Sequence, residues 1–77
     1  MVKAYVLIVT EPGATRRLVE TIRELDLVHE VHEVMGPYDI VAEIRADSLQ
    51  EIPGILQEQI RSLPGIHSTT SLVAFPS

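Results

Sequence analysis

Gly36-Pro37-Tyr38-Asp39-Ile40-Val41-Ala42-Glu43-Ile44-Arg45-Ala46 is the stretch whose reading decides the fold. It opens with residues that favour a turn and continues with a strict alternation. Ile40, Ala42 and Ile44 fall on one side, Glu43 and Arg45 on the other. Successive side chains of an extended chain point to opposite faces, so residues 39–46 are predicted to form a strand with one apolar face. The preceding residues 28–35 read VHEVHEVM, rich in Val but apolar at every third position rather than every second. Val favours a strand and the odd period departs from a regular one, so a second strand is expected there, either regular or bulged.

Residues 2–10 extend the pattern toward the N-terminus. Val2, Ala4, Val6 and Ile8 lie on one face and Tyr5, Leu7 and Val9 on the other, so both faces are apolar. Such a strand belongs in the middle of a sheet, covered on both sides. Pro12 and Gly13 end it, and Leu18, Val19, Ile22 and Leu25 then recur at helical spacing, which predicts a first helix over 14–25.

Toward the C-terminus, Ser48-Leu49-Gln50-Glu51 has the spacing of a capping box. Leu49, Ile52, Leu56, Ile60 and Leu63 follow as a stripe, giving a second helix over 48–63 that ends at Pro64-Gly65. Pro53 cannot return a hydrogen bond to Leu49, so the first turn is expected to be irregular or the helix to start later. Residues 66–75, IHSTTSLVAF, close the series as a fourth strand.

The order strand, helix, strand, strand, helix, strand is that of a split βαβ, an α+β ferredoxin-like fold: a four-stranded antiparallel sheet with two helices on one face. Two helices cover one face only. Tyr5, Leu7 and Val9 on the other need a cover, and a second copy of the sheet is the simplest one. A chain of 77 residues also has a thin core, which favours burial between subunits.

Composition excludes several classes of function. Without cysteine there is no disulfide, thiolate metal site or cysteine nucleophile. A formal charge of −5 has the wrong sign for a phosphate backbone, so no direct nucleic-acid partner is expected. The N-terminal apolar run is too short for a signal peptide and the chain too interrupted for a span, so a cytoplasmic location and no membrane partner are expected. Gly13, Gly36, Gly54 and Gly65 are isolated from one another and none precedes a Lys, which sets aside a phosphate-cradling loop.

Most of the polar residues read as ordinary structural positions. His29 and His32, three apart on a regular strand, point to opposite faces and cannot share an ion, so no metal or cofactor is expected. Glu30, Glu33 and Glu43 read as solvated strand positions rather than general acids or bases, and Arg16-Arg17 as a solvated pair. Two clusters remain, Gly36-Pro37-Tyr38-Asp39 and His67-Ser68-Thr69-Thr70-Ser71. A turn and a polar edge strand are their plain readings, although a turn does not require Tyr38 beside Asp39.

Together, Gly36-x-Tyr38-Asp39, the alternating strand, Leu63-Pro64-Gly65-Ile66 and Thr69-x-Ser71 resemble the effector-binding (RAM) domain of the Lrp/AsnC transcription regulators over essentially the whole chain. The family pattern has Val where Ile66 stands and Thr where Ser71 stands, and both changes keep the chemistry. Regulators of the family carry a helix-turn-helix domain ahead of this one. Here the first strand starts at Val2, so the resemblance is to the stand-alone form, one RAM-like domain over 1–77.

The resemblance implies a non-enzymatic module with a homodimer formed through the sheets at Tyr5, Leu7 and Val9, and a higher homo-oligomer built from dimers. It implies a free amino acid or related metabolite bound near subunit interfaces by Gly36, Pro37, Tyr38, Asp39, Thr69 and Ser71, and leaves room for a partner regulator protein. An ACT-like regulatory domain and a small ferredoxin-like enzyme of the dimeric α+β barrel type are the alternatives. The Leu-Pro-Gly motif favours the first reading over the ACT-like one, and the enzyme would need a pocket with a buried His or carboxylate.

Overall fold

The computed structural model describes residues 1–75. It has β1 (Val2–Thr10), α1 (Thr15–Arg23), β2 (Val28–Glu33), β3 (Ile40–Ala46), α2 (Ile52–Ile55) and β4 (Ile66–Ala74). The strands form one antiparallel sheet in the order β2-β3-β1-β4, with β1 inside as its two apolar faces require. The fold is the expected ferredoxin-like α+β arrangement.

One face of the sheet and the helical segments close the core. Ala4, Val6 and Ile8 of β1 meet Leu18, Val19 and Ile22 of α1, with Ile40, Ala42 and Ile44 of β3 beside them and Ile52, Ile55, Leu56 and Ile60 completing the cluster. Val6, Ile8, Leu18, Ile22, Ile40, Ile44 and Ile60 are wholly buried, and each such side chain stabilises the fold by about 1.5–3 kcal/mol relative to exposure.

β2 is the bulged alternative. The register runs Val28↔Ile44 and then Glu30↔Glu43, so β2 spends one residue more than β3 across that step. The irregularity explains the period of three, because it lets both Val28 and Val31 stand beside core residues Ile44 and Ala42. It also breaks the alternation on which the opposite orientation of His29 and His32 rested. β2 ends at Glu33 rather than at Met35, whose side chain is wholly exposed.

The second helix departs most from expectation. Instead of one helix over 48–63 there is a 3-10 turn at Leu49–Glu51, then α2, then a π-helical turn at Leu56–Ile60. Pro53 takes the second position of α2, where its missing N–H costs nothing. The capping-box side-chain bond does not form at Ser48, and Leu49 is exposed instead of joining the stripe. In the π-turn the Arg61 amide bonds to the Leu56 carbonyl at 2.8 Å, five residues back. α1 likewise ends early, at Arg23, with Leu25 held in the following turn by its amide on the Ile22 carbonyl.

Gly65 shows why the chain needs Leu-Pro-Gly at this place. Its φ of +97° suits glycine, and a Cβ there would lie 2.9 Å from the Ala14 Cβ at the start of α1. The Glu11 amide bonds to the Gly65 carbonyl at 2.8 Å and Arg17 Nη2 donates to the Pro64 carbonyl at 3.2 Å. The motif therefore locks the approach to β4 onto the β1–α1 connection.

Candidate functional site

The turn of the first cluster connects β2 to β3. Gly36, at φ +139°, and Pro37 are exposed, while Tyr38 and Asp39 are half-buried. The Val34 amide bonds to the Asp39 carbonyl at 2.8 Å, closing the turn, and the Asp39 amide bonds to the Ile8 carbonyl at 2.9 Å, tying it to β1. The carboxylate is engaged as well. Asp39 Oδ2 accepts from the Thr10 backbone amide at 2.9 Å and from Thr10 Oγ1 at 3.3 Å, and Thr10 Oγ1 lies 2.6 Å from Thr15 Oγ1 at the start of α1. One oxygen of Asp39 thus joins three elements of the fold, and the other has no such bond among the described residues.

The hydroxyls of the second cluster lie across β1 from this turn. Thr69 pairs with Ile8 and Ser71 with Val6, so both are on the helix side of the sheet, at its β4 edge. Ile8 pairs on its other side with Ile40, the residue after Asp39. Asp39 and Thr69 are therefore at the same end of the sheet but on strands separated by β1, about 9.5 Å apart in backbone spacing. Ile8, which is wholly buried, stands between them, so the two clusters lie on strands that do not adjoin within a single copy.

Arg61, which the sequence does not single out, lies beside the hydroxyl cluster and its Nε donates to Thr69 Oγ1 at 2.9 Å. The π-turn that places it has no signature in the sequence. Thr10 was missed for a similar reason: a hydroxyl ending an apolar strand gives no sign that a carboxylate far along the chain will hold it.

The outer sheet face has no second layer. Tyr5 pairs with Glu43 and Leu72, Leu7 with Val41 and Thr70, and Val9 with Ser68. Tyr5, Leu7, Val9 and Val41 are half-buried and Leu72 is 52% exposed, which makes an apolar patch across the three strands β3, β1 and β4. Alternation from Glu43 would have found Val41.

Glu43 departs from the solvated reading, being 8% exposed. Its Oε2 accepts from Arg45 Nε at 2.9 Å, and that hydrogen bond, with Lys3, Arg45 and His29 nearby, lowers its carboxyl below the ordinary 4.5 despite the opposing effect of desolvation. Neighbouring side chains rather than an overlying layer shade it, so water still screens the pair in a single copy. Among the described residues no group of three or more His, Cys, Asp or Glu is placed to hold a metal, and no helix is long and apolar enough to cross a membrane.

A family model described as the Lrp/AsnC ligand binding domain matches residues 3–77. The chain belongs to the Lrp/AsnC ligand-binding domain family. Among curated relatives of this Lrp/AsnC domain, an uncharacterised HTH-type transcriptional regulator of Pyrococcus furiosus is 37% identical over 75 residues, covering 94% of this chain and 50% of the regulator. The chain spans about half the length of the curated relatives it matches. Among solved structures, a protein of Thermus thermophilus superposes with a TM-score of 0.94 at 39% identity, covering 100% of this chain and 96% of that one. A transcriptional regulator of Neisseria meningitidis, solved as a complex with L-Met, shares the fold with a TM-score of 0.87 at 12% identity, covering 97% of this chain and 50% of the regulator. This Lrp/AsnC domain is thus a regulatory domain of a kind found in transcription regulators.

Proposed function

We propose that this Lrp/AsnC domain binds a free amino acid or closely related metabolite between copies of itself, and that it acts by binding and assembly rather than by catalysis. The observation that carries the reading is the division of the polar clusters by β1. The turn presents the Gly36 and Tyr38 amides and, among the described residues, one unbonded Asp39 carboxylate oxygen, and Thr69 and Ser71 present hydroxyls, yet a single copy leaves both groups open at the same end of the sheet. A zwitterion needs donors for its carboxylate, acceptors for its ammonium and a wall for its side chain. A second copy can bring the turn of one chain to the hydroxyls of another, with Tyr38 as the wall.

The apolar patch around Leu7 supplies the means of pairing, through burial of Tyr5, Leu7, Val9, Val41 and Leu72 against their counterparts. The Neisseria regulator with L-Met supports the class of ligand and does not specify the ligand of this chain. The net charge of −5 supports a module that reaches nucleic acid only through a partner regulator.

The test is thermal unfolding of the protein against each of the twenty free L-amino acids. A ligand at a hundred times its Kd that binds only the folded state stabilises it by about 2.7 kcal/mol, which for a domain of this size raises Tm by about 10 °C or more. A panel in which no amino acid moves the midpoint at millimolar concentration contradicts the reading.

A further inference from the structure

On the helix side of β4 a guanidinium is fixed by a strand hydroxyl and pairs with no carboxylate among the described residues. The π-turn ends at Arg61, whose Nε is committed to Thr69 Oγ1 at 2.9 Å. Its two terminal nitrogens make no hydrogen bond or ion pair among the described residues. Arg61, Ile66, His67, Ser68 and Thr69 line an open depression of about 350 Å³. None of these residues is acidic. Beside it, Glu11 Oε1 lies 3.6 Å from Nδ1 of His67. In a chain of eleven acidic and six basic residues, this depression has a cation in its wall and no acid.

We propose that Arg61 is the carboxylate-binding residue of the ligand site. This rests on the amino-acid reading above and adds to it the residue that recognises the common end of every α-amino acid. A guanidinium presents paired N–H donors in one plane, which match the two oxygens of a carboxylate. With Nε bound to Thr69, the edge formed by the two terminal nitrogens is the one left for the ligand. Thr69 Oγ1 accepts from Nε, so its own proton remains available to the same carboxylate. The hydroxyl both sets the plane of the guanidinium and adds a donor. The ammonium then faces away from Arg61, where the acceptors of a neighbouring copy's Gly36–Asp39 turn can meet it.

The amino acid that stabilises the wild type most in the thermal panel is titrated calorimetrically into wild type, Arg61→Gln and Arg61→Lys. The same titrations are run with the carboxamide of that amino acid, which keeps the ammonium and side chain and loses the carboxylate charge. Arg61 is exposed, so both variants are expected to fold, as circular dichroism would report. Wild type should prefer the acid over the amide by about tenfold or more, and Arg61→Gln should weaken the acid by about ten- to a hundredfold while leaving the amide within about twofold. Arg61→Lys, with charge but no planar fork, should fall between. Loss of the acid-over-amide preference is the signature that a merely structural role does not give. An Arg61→Gln protein that binds the acid as wild type does, or keeps the preference, overturns the proposal while the amino-acid reading stands. If none of the twenty amino acids stabilises the wild type, both fall.

Discussion

Replacing Asp39 by Ala should destabilise the fold as well as the site. The Asp39 carboxylate accepts from the backbone amide of Thr10, a residue 8% exposed, and from its hydroxyl. Truncation leaves that amide without its acceptor, and an unsatisfied buried donor costs about 1–3 kcal/mol, with more expected where the lost acceptor is ionised. The second contact, at 3.3 Å, adds little, because Thr10 Oγ1 keeps Thr15 Oγ1 at 2.6 Å. The expected loss is therefore about 2–3 kcal/mol, or a fall in Tm of about 8–24 °C for a domain of this size. Asp39→Asn keeps an oxygen facing the amide and loses the charge, so it should cost about 1 kcal/mol or less. Urea denaturation of the three proteins at one fixed concentration, with m unchanged, measures both differences. An Asp39→Ala midpoint within about 0.5 kcal/mol of wild type would refute the reasoning, since it would mean that the Thr10 amide finds another partner at no cost.

Gly65→Ala should destabilise by about 2–4 kcal/mol, combining positive φ with overpacking against Ala14, and chemical denaturation would show it. Leu7→Glu should dissociate the proposed sheet-to-sheet dimer, because symmetry would bury two unpaired carboxylates at about 3 kcal/mol or more each; an unchanged sedimentation coefficient would mean that the interface lies elsewhere. Glu43, with its carboxyl lowered below the ordinary value, contributes stability that is present above 4.5 and lost as pH falls through the lower folded value. Glu43→Gln should therefore flatten the acid limb of stability against pH, and an acid limb identical to wild type would show that the Arg45 pair carries no linkage.

The fold was legible because its signals are local. The alternation of Ile40, Ala42 and Ile44 fixed the face of β3, the two apolar faces of β1 placed it inside the sheet, and the period of three in VHEVHEVM left room for the bulge that the register shows. The second helix was misjudged because a stripe reports which residues are buried and not which hydrogen-bond register carries them. Ile52, Leu56 and Ile60 are buried as the stripe requires, although the backbone passes from 3-10 to α to π and leaves Leu49 outside.

The candidate site was legible as two polar clusters and no further. What Asp39 does for the backbone depends on Thr10, 29 residues away, and the cation beside Thr69 depends on a π-turn, and neither has a spacing rule. Tyr5, Leu7 and Val9 lie on the uncovered face as alternation predicted, whereas Leu72 joins them only through the β1–β4 register.

Native mass spectrometry of the full chain, with and without the stabilising amino acid, tests most directly whether the site is completed by a second copy. Because β1 separates the Asp39 turn from Thr69 within one chain, ligand should appear only on dimers or larger assemblies, with Leu7→Glu monomers carrying none. A folded monomer that retains the amino acid at wild-type affinity would contradict it.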